Sequence, residues 1–336
     1  MAELTELRDD YGRRLNYVRI SVTDRCNYRC AYCMPPEGVK CLSHEDILRY
    51  EDIKFLCRVF VELGVGKFRF TGGEPLVRKG LVPFLKELHS ELPGIKTALT
   101  TNASLLGEYS AQLAEAGIHS LNISLDTLDP EKFARITMIG SIEGVFEGIR
   151  AARAAGIGNI KLNAVLIRDF NDREIADMLA FSRREGLLLR LIEFMPLQES
   201  VWDKNSFISG EEILRILPGG DAWKRSTAGG SDDGPAQYYF NEKTGDTIGI
   251  ITAVSNHFCK TCNRLRVSAE DNLRTCLFNP HETALKGLIR SRGDSLAAGG
   301  HPAQRSQKAA LLERHKHRQS SDVGNWRIKD GRIHAL

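Results

Sequence analysis

Six of the eight cysteines in this 336-residue chain fall into two triplets, and thiols clustered this closely are the donor sets of metal centres. The first triplet is Cys26, Cys30 and Cys33, spaced C-x3-C-x2-C in the run Thr23-Asp24-Arg25-Cys26-Asn27-Tyr28-Arg29-Cys30-Ala31-Tyr32-Cys33. Three thiolates on one short loop can take three corners of an iron–sulfur cubane and leave the fourth iron open. An open coordination position marks a centre that does chemistry, by the logic that separates catalytic from structural zinc. Zinc with a remote fourth ligand is the alternative that spacing leaves standing. The second triplet is Cys259, Cys262 and Cys276, spaced C-x2-C-x13-C. It carries the same pair of readings: zinc completed by His257 or His281, or a second cubane with an iron open to a substrate atom. Arg264 and Arg266 follow Cys262 directly. In extended backbone, i and i+2 point to one side, so the two guanidiniums make a ready phosphate clamp. A solvated face is the plainer reading of that pair taken alone.

The first triplet, with Tyr32 before its last cysteine, and the string Thr71-Gly72-Gly73-Glu74-Pro75 resemble the radical S-adenosylmethionine (SAM) enzymes. In those enzymes the Gly-Gly-Glu backbone meets the amino group of SAM. Paired glycines at a strand end let a ligand approach the main chain closely. With Cys259, Cys262-Asn263-Arg264-Leu265-Arg266 and Cys276-Leu277-Phe278 added, the stretch Tyr17 to Leu288 resembles the GTP 3′,8-cyclases of molybdenum cofactor biosynthesis.

That resemblance implies an α/β fold, an incomplete (β/α)6 barrel with a C-terminal cluster-binding domain. It implies two 4Fe–4S clusters, held by Cys26, Cys30 and Cys33 and by Cys259, Cys262 and Cys276. The first cluster cleaves SAM to a 5′-deoxyadenosyl radical that removes hydrogen from C3′ of GTP. The sugar then closes onto C8, giving 3′,8-cyclo-7,8-dihydroguanosine triphosphate without a side-chain acid or base. SAM contacts fall on Tyr32, Gly73, Ser124 and Met195. GTP contacts fall on Arg19, Arg69, Thr100, Lys161, Arg264, Leu265 and Arg266, with Arg190 as a further member. Cations on barrel strands gain a shared reason if a triphosphate meets them, since buried charge is costly unpaired. The partners implied are GTP, an electron donor, a second copy in a homodimer, and the cyclic pyranopterin monophosphate synthase that receives the product. Family members usually end in Gly-Gly, whereas this chain reads Ile333-His334-Ala335-Leu336. The expectation is that it binds clusters, SAM and GTP yet turns over slowly.

These residues need elements to carry them. Apolar runs at Val18–Val22, Lys67–Phe70, Thr97–Thr100, Ser120–Leu125, Ile160–Ile167 and Leu187–Phe194 read as strands. Amphipathic stretches between them read as helices, with Ile53, Leu56, Val59, Phe60 and Leu63 on one face and Val82, Leu85 and Leu88 on another. Gly64 and Gly117 fall where helices should end. Strand–helix alternation predicts a parallel sheet. Turn-rich sequence after Pro196, then β-like runs at Gln237–Phe240 and Ile248–Val254, predict a smaller second domain. The domains expected are an N-terminal extension (1–15), the barrel (16–225), the cluster domain (226–293) and a basic tail (294–336) with little structure of its own.

Composition narrows the class. Net charge is +3, with 42% hydrophobic and 26% charged residues, which fits a folded soluble chain and gives no reason for bulk binding to nucleic acid or membrane. No apolar run approaches the ~20 residues of a membrane span, and the N-terminus lacks an export signal. A reducing cytoplasm is therefore expected. No Walker P-loop is present, so GTP would be a substrate and not a switch ligand. Two other readings remain: a peptide-modifying radical SAM enzyme with an auxiliary cluster, and a zinc-bearing nucleic-acid-binding module suggested by the tail. Residues 286–336 hold eleven Lys/Arg against four Asp/Glu.

Overall fold

The computed structural model describes residues 6–9, 12–35, 37–195, 204–226, 234–277 and 282–285, positions 287 and 289, and two short strands at 326–329 and 332–335. Its centre is six parallel strands: β1 (Tyr17–Ser21), β2 (Lys67–Thr71), β3 (Lys96–Thr101), β4 (Ser120–Ser124), β5 (Ile160–Leu166) and β6 (Leu188–Glu193). They lie side by side in chain order. Parallel neighbours need a crossover, and helices supply each one. These are α1 (Tyr50–Glu62), α2 (Leu81–Glu91), α3 (Leu106–Glu115), α4 (Pro130–Thr137) with α5 (Ile142–Ala154), and α6 (Ile175–Arg184), while α7 (Gly210–Ile216) follows β6. This is the expected incomplete (β/α)6 barrel, each strand within a residue or two of its apolar run. Gly64 and Gly117 sit just past α1 and α3 at φ +85° and +77°, the left-handed turn that ends a helix.

Strand alternation decides what the barrel encloses. Parallel strands covered on both faces usually read as continuous apolar runs. Here Val18, Ile20, Phe68, Phe70, Leu99, Leu121, Ile123, Leu162, Leu189 and Leu191 are buried in the core that the helices cover. Their neighbours Arg19, Arg69, Thr100, Asn122, Lys161 and Arg190 point the other way, into the barrel. Each large apolar side chain contributes roughly 1.5–3 kcal/mol on burial. A one-residue slip would exchange the two sets and drive guanidiniums under the helices, so register is strongly specified.

The C-terminal region continues the same sheet. At one edge β9 (Thr247–Ile251) pairs parallel with β6, and antiparallel β8 (Gln237–Asn241) and β7 (Trp223–Arg225) follow. At the other, β10 (Arg264–Val267) pairs parallel with β1, and antiparallel β11 (Asn272–Arg274) and β12 (Thr283–Ala284) follow. The result is one twelve-stranded sheet in which the β7–β8 pair spans residue 225, where turn-rich sequence suggested a boundary. Glu193, fully buried at the end of β6, helps hold this together. It accepts from the amides of Gly210 (2.7 Å), Val254 (2.7 Å) and Ser255 (2.9 Å), linking β6 to α7 and to the segment after β9. Of the tail, β13 (Trp326–Lys329) and β14 (Arg332–Ala335) form a separate antiparallel pair, and its other residues lie outside those described. No described helix is long and apolar enough to cross a membrane.

Candidate active site

The first cysteine loop leaves the end of β1 and is held from two sides. Pairing of β1 with β2 runs on past both strands: Val22 N donates to Thr71 O (2.8 Å), Gly73 N to Thr23 O (2.9 Å) and Glu74 N to Arg25 O (2.8 Å). A Cβ on Gly73 would sit 2.2 Å from Arg25 O and 2.8 Å from Cys26 N. The glycine pair thus lets the Cys26 loop lie directly on it, a reason that sequence reading, which saw an opening for a ligand, did not supply. From the other side, Arg29 N and Ala31 N donate to Thr137 O (3.0 Å) and Ile136 O (2.8 Å) at the end of α4. Inside the loop, Cys33 N donates to Cys30 O (2.8 Å) and Tyr28 N to Cys26 Sγ (3.4 Å). Burial pushes the Cys30 thiol up to about 12, with Asp126 adding to it, and burial raises Cys26 and Cys33 as well.

The four residues expected to meet SAM share one rim. Tyr32 follows β1, Gly73 follows β2, Ser124 ends β4 and Met195 follows β6. These are the carboxyl ends of the parallel strands, where α/β folds build their sites. Two carboxyl groups that sequence reading missed brace this rim. Asp126, buried beyond β4, accepts from the Tyr32 hydroxyl (2.8 Å) and Val165 N (2.8 Å). Burial pushes it up to about 6. Glu74 accepts from Leu76 N (3.1 Å), Thr101 Oγ1 (2.8 Å) and Asn102 N (2.7 Å), tying the ends of β2 and β3 together, and burial pushes it up to about 7.

Deeper in, the barrel is cationic. Register sets Arg19 between Arg266 on β10 and Arg69 on β2, with Tyr17 between Arg264 and Lys67. Lys161 and Arg190 face the same space from β5 and β6, and Thr100 accepts from Arg69 Nη1 at 3.3 Å. No Asp or Glu on β1 to β6 or β10 shares this face. Burial lowers Arg19 to about 10; Tyr17 opposes this, while Arg69, Arg266 and Arg264 add to it. Burial lowers Arg69 and Arg266 too. Burial alone would raise the Tyr17 phenol, yet Arg69, Arg19 and Lys67 outweigh it and hold it below its ordinary value. Arg69 donates to the Tyr17 hydroxyl and Arg190 to that of Tyr238. Asn122 Oδ1 and Asn163 Oδ1 are buried acceptors without a hydrogen-bond partner. Lys67 was missed, although its position two residues before Arg69 puts it on the same face. Leu265 is the exception among the expected contacts: its side chain is buried in the apolar core, so only its backbone is available to a ligand.

The second triplet lies at the edge that β10 adds. Arg264 Nη2 is 3.5 Å from Cys262 Sγ. Burial would raise that thiol, but Arg264 and Arg266 bring it below the usual value. Cys276 and Cys262 instead add to burial in raising Cys259. His257 is exposed, and His281 lies outside the described residues. Among the described residues, no three His, Cys, Asp or Glu side chains converge as a preformed metal cage. The donor chemistry still fits iron–sulfur clusters: each triplet brings three thiols close enough to shift one another's titration. Cys57 is buried core and Cys41 an exposed loop thiol, as their lack of any motif suggested.

The model of the Radical SAM superfamily matches residues 20–182, and that of Molybdenum Cofactor Synthesis C matches residues 187–331. The second reaches past Leu288, where the motif resemblance ends. The GTP 3′,8-cyclase of Peptoclostridium acidaminophilum is 45% identical over 86% of this chain and 88% of its own length. That of Desulforamulus reducens is 39% identical over 95% of this chain and 96% of its own. Among solved structures, Streptococcus suis SuiB bound to precursor peptide SuiA aligns with a TM-score of 0.58 at 15% identity, over 86% of this chain and 67% of that one. At that identity the likeness speaks for the fold alone.

Proposed function

Because this chain belongs to the GTP 3′,8-cyclase family within the radical SAM superfamily, we propose that its barrel interior seats GTP, with ribose toward the first cysteine loop and purine toward the second. The chain is an enzyme of the first step of molybdenum cofactor biosynthesis, and its cofactors are SAM and a 4Fe–4S cluster. The observation that carries the seating is the cationic interior: Arg19, Arg69, Lys161, Arg190, Arg264 and Arg266 turn inward with no carboxylate on the strands to match them. Such a set is costly until an anion fills it, and a triphosphate has the charge to do so.

Cys26, Cys30 and Cys33 would hold the cluster that binds SAM, and Cys259, Cys262 and Cys276 a second cluster near the purine. The chemistry supplied by the first cluster with SAM, when bound, is a 5′-deoxyadenosyl radical that takes the hydrogen from C3′. Everything else in this reading is positioning by the chain. Tyr32, Gly73, Ser124 and Met195 line SAM at the rim. The six cations, Thr100 and the Leu265 backbone hold the nucleotide so that C3′ faces the rim and C8 lies within reach of the sugar. No side-chain acid or base is assigned. An external one-electron donor, a homodimer and hand-over of product to the cyclic pyranopterin monophosphate synthase belong to the same reading.

The test is anaerobic reconstitution followed by SAM, dithionite and GTP. Matched yields of 5′-deoxyadenosine and a 3′,8-cyclised nucleotide are expected. If 5′-deoxyadenosine forms while GTP is recovered intact, the assignment of GTP to this cavity fails.

A further inference from the structure

The N-terminal segment before β1 has no part in the scheme above, yet it reaches the second cysteine loop. Leu7 is buried, and its amide donates to Leu63 O (3.0 Å) at the end of α1. Leu15 N returns to Leu7 O (2.8 Å) and Asp9 N donates to Arg13 O (3.1 Å), so residues 7–9 pair with residues 13–15 against the barrel wall. Within it Asp9 grips Arg13: Oδ1 accepts the Arg13 amide (2.9 Å) and Oδ2 accepts Nε (2.5 Å). Their side chains are only 7% and 20% exposed. A guanidinium is a rigid fork, and fixing one branch aims the other. Here Nη1 donates to the carbonyl of Cys259. Three residues on, Asn16 Oδ1 accepts from Asn263 Nδ2 at 2.6 Å, while its carbonyl accepts from Gly66 N (3.2 Å) and Lys67 N (3.3 Å). The loop's own bonds are short-range, Thr261 N to Phe258 O (3.1 Å) and Cys262 N to Cys259 O (3.2 Å).

We infer that Asp9, Arg13 and Asn16 form a clamp that grips the second cysteine loop on both sides of Cys262, with Arg13 as the positioning residue at Cys259 and Asn16 at Asn263. The clamp joins chain ends some 246 residues apart. It sets the direction of the Cys259 carbonyl and, through it, of the turn that presents both thiols. Its iron readout rests on the reading of Cys259, Cys262 and Cys276 as cluster ligands, whereas its exchange readout does not.

The test compares wild type, Arg13→Ala and Arg13→Lys. In metal-free chain, amide hydrogen exchange at Thr261 and Cys262 should rise about ten-fold or more in Arg13→Ala, the scale of a lost charged hydrogen bond. Exchange at Cys33 and Met34 in the first loop should stay as it is. After anaerobic reconstitution, iron should fall from about eight toward about four per chain. Arg13→Lys, which keeps the charge and loses the fork, should fall between. Unchanged exchange at Thr261 and Cys262 overturns the clamp, and so does an equal rise in both loops, which would make Arg13 a general support. A chain with Cys259, Cys262 and Cys276 all changed to Ser separates the two readings. If it keeps full iron, the second cluster is refuted, and the exchange result still decides the clamp.

Discussion

Arg19 stands among three other guanidiniums. Burial, with Arg69, Arg266 and Arg264 and against the help of Tyr17, brings its own down to about 10, so its charge is held at an electrostatic cost. Arg19→Met should relieve it, raising the melting temperature of the free chain by about 2–4 °C, which corresponds to about 1 kcal/mol. GTP binding should weaken at least ten-fold in the same variant. Melting scans with and without GTP check both, and a lower melting temperature for the free variant would refute the idea of strain. Glu74 gives a pH signature. Its folded-state value of about 7 stands above the ordinary 4.5. The folded chain therefore holds the proton more tightly, and stability falls as pH rises from about 4.5 to about 7. Glu74→Gln lacks that slope. The advantage of wild type over the variant in urea unfolding should shrink across this window, by at most ~1.4 kcal/mol per pH unit. An advantage that grows with pH would reverse the sign. The cysteine triplets were legible as metal donors from type and spacing, whereas the paired arginines read alone as a solvated face and gained a ligand only through the resemblance. Asp126 and Arg13 were not legible, since each acts on a partner distant in sequence, Tyr32 and Cys259, and no periodicity marks such a pair.

At the scale of elements, the six central strands were legible because each is a short apolar run bounded by turns. What ran past their ends was not. The Thr71–Pro75 string reads as a ligand cradle, and the structure adds that it is the bed of the cysteine loop, with Gly73 flush against Arg25 and Cys26. Gly73→Ala should therefore push that loop away before any ligand arrives. Iron should fall by about half on reconstitution and SAM cleavage should be lost, while iron at the second triplet stays. Full iron with weakened SAM affinity would mean that the glycine serves the ligand alone. Edge pairing was hidden for a related reason: Arg264–Val267 reads as a clamp after a cysteine, and nothing local says that it lies beside β1.

At the scale of the whole molecule, separating the two cysteine loops across one sheet should separate their functions. Arg266→Ala alters the edge that β10 adds and leaves the first loop intact. GTP affinity should drop about 10–100-fold, the worth of a charged hydrogen bond. Slow SAM cleavage without cyclised nucleotide should survive, read as 5′-deoxyadenosine alone. Loss of SAM cleavage at unchanged GTP affinity would reverse the assignment of the two ends. The β1–β10 pair also sets when the sheet can be completed. Tyr17 lies against Arg264, so the first strand made by the ribosome waits for one of the last. At ordinary rates of synthesis that is roughly ten seconds to a minute with one side of β1 bare. Such an edge invites foreign pairing, and contacts this distant form slowly. A nascent chain therefore carries Arg19 without Arg266 beside it, and a chain cut short before β10 keeps an open seam along β1. The edge beside the second cysteine loop is thereby the last part of this sheet to be completed, long after the rim that carries the first loop.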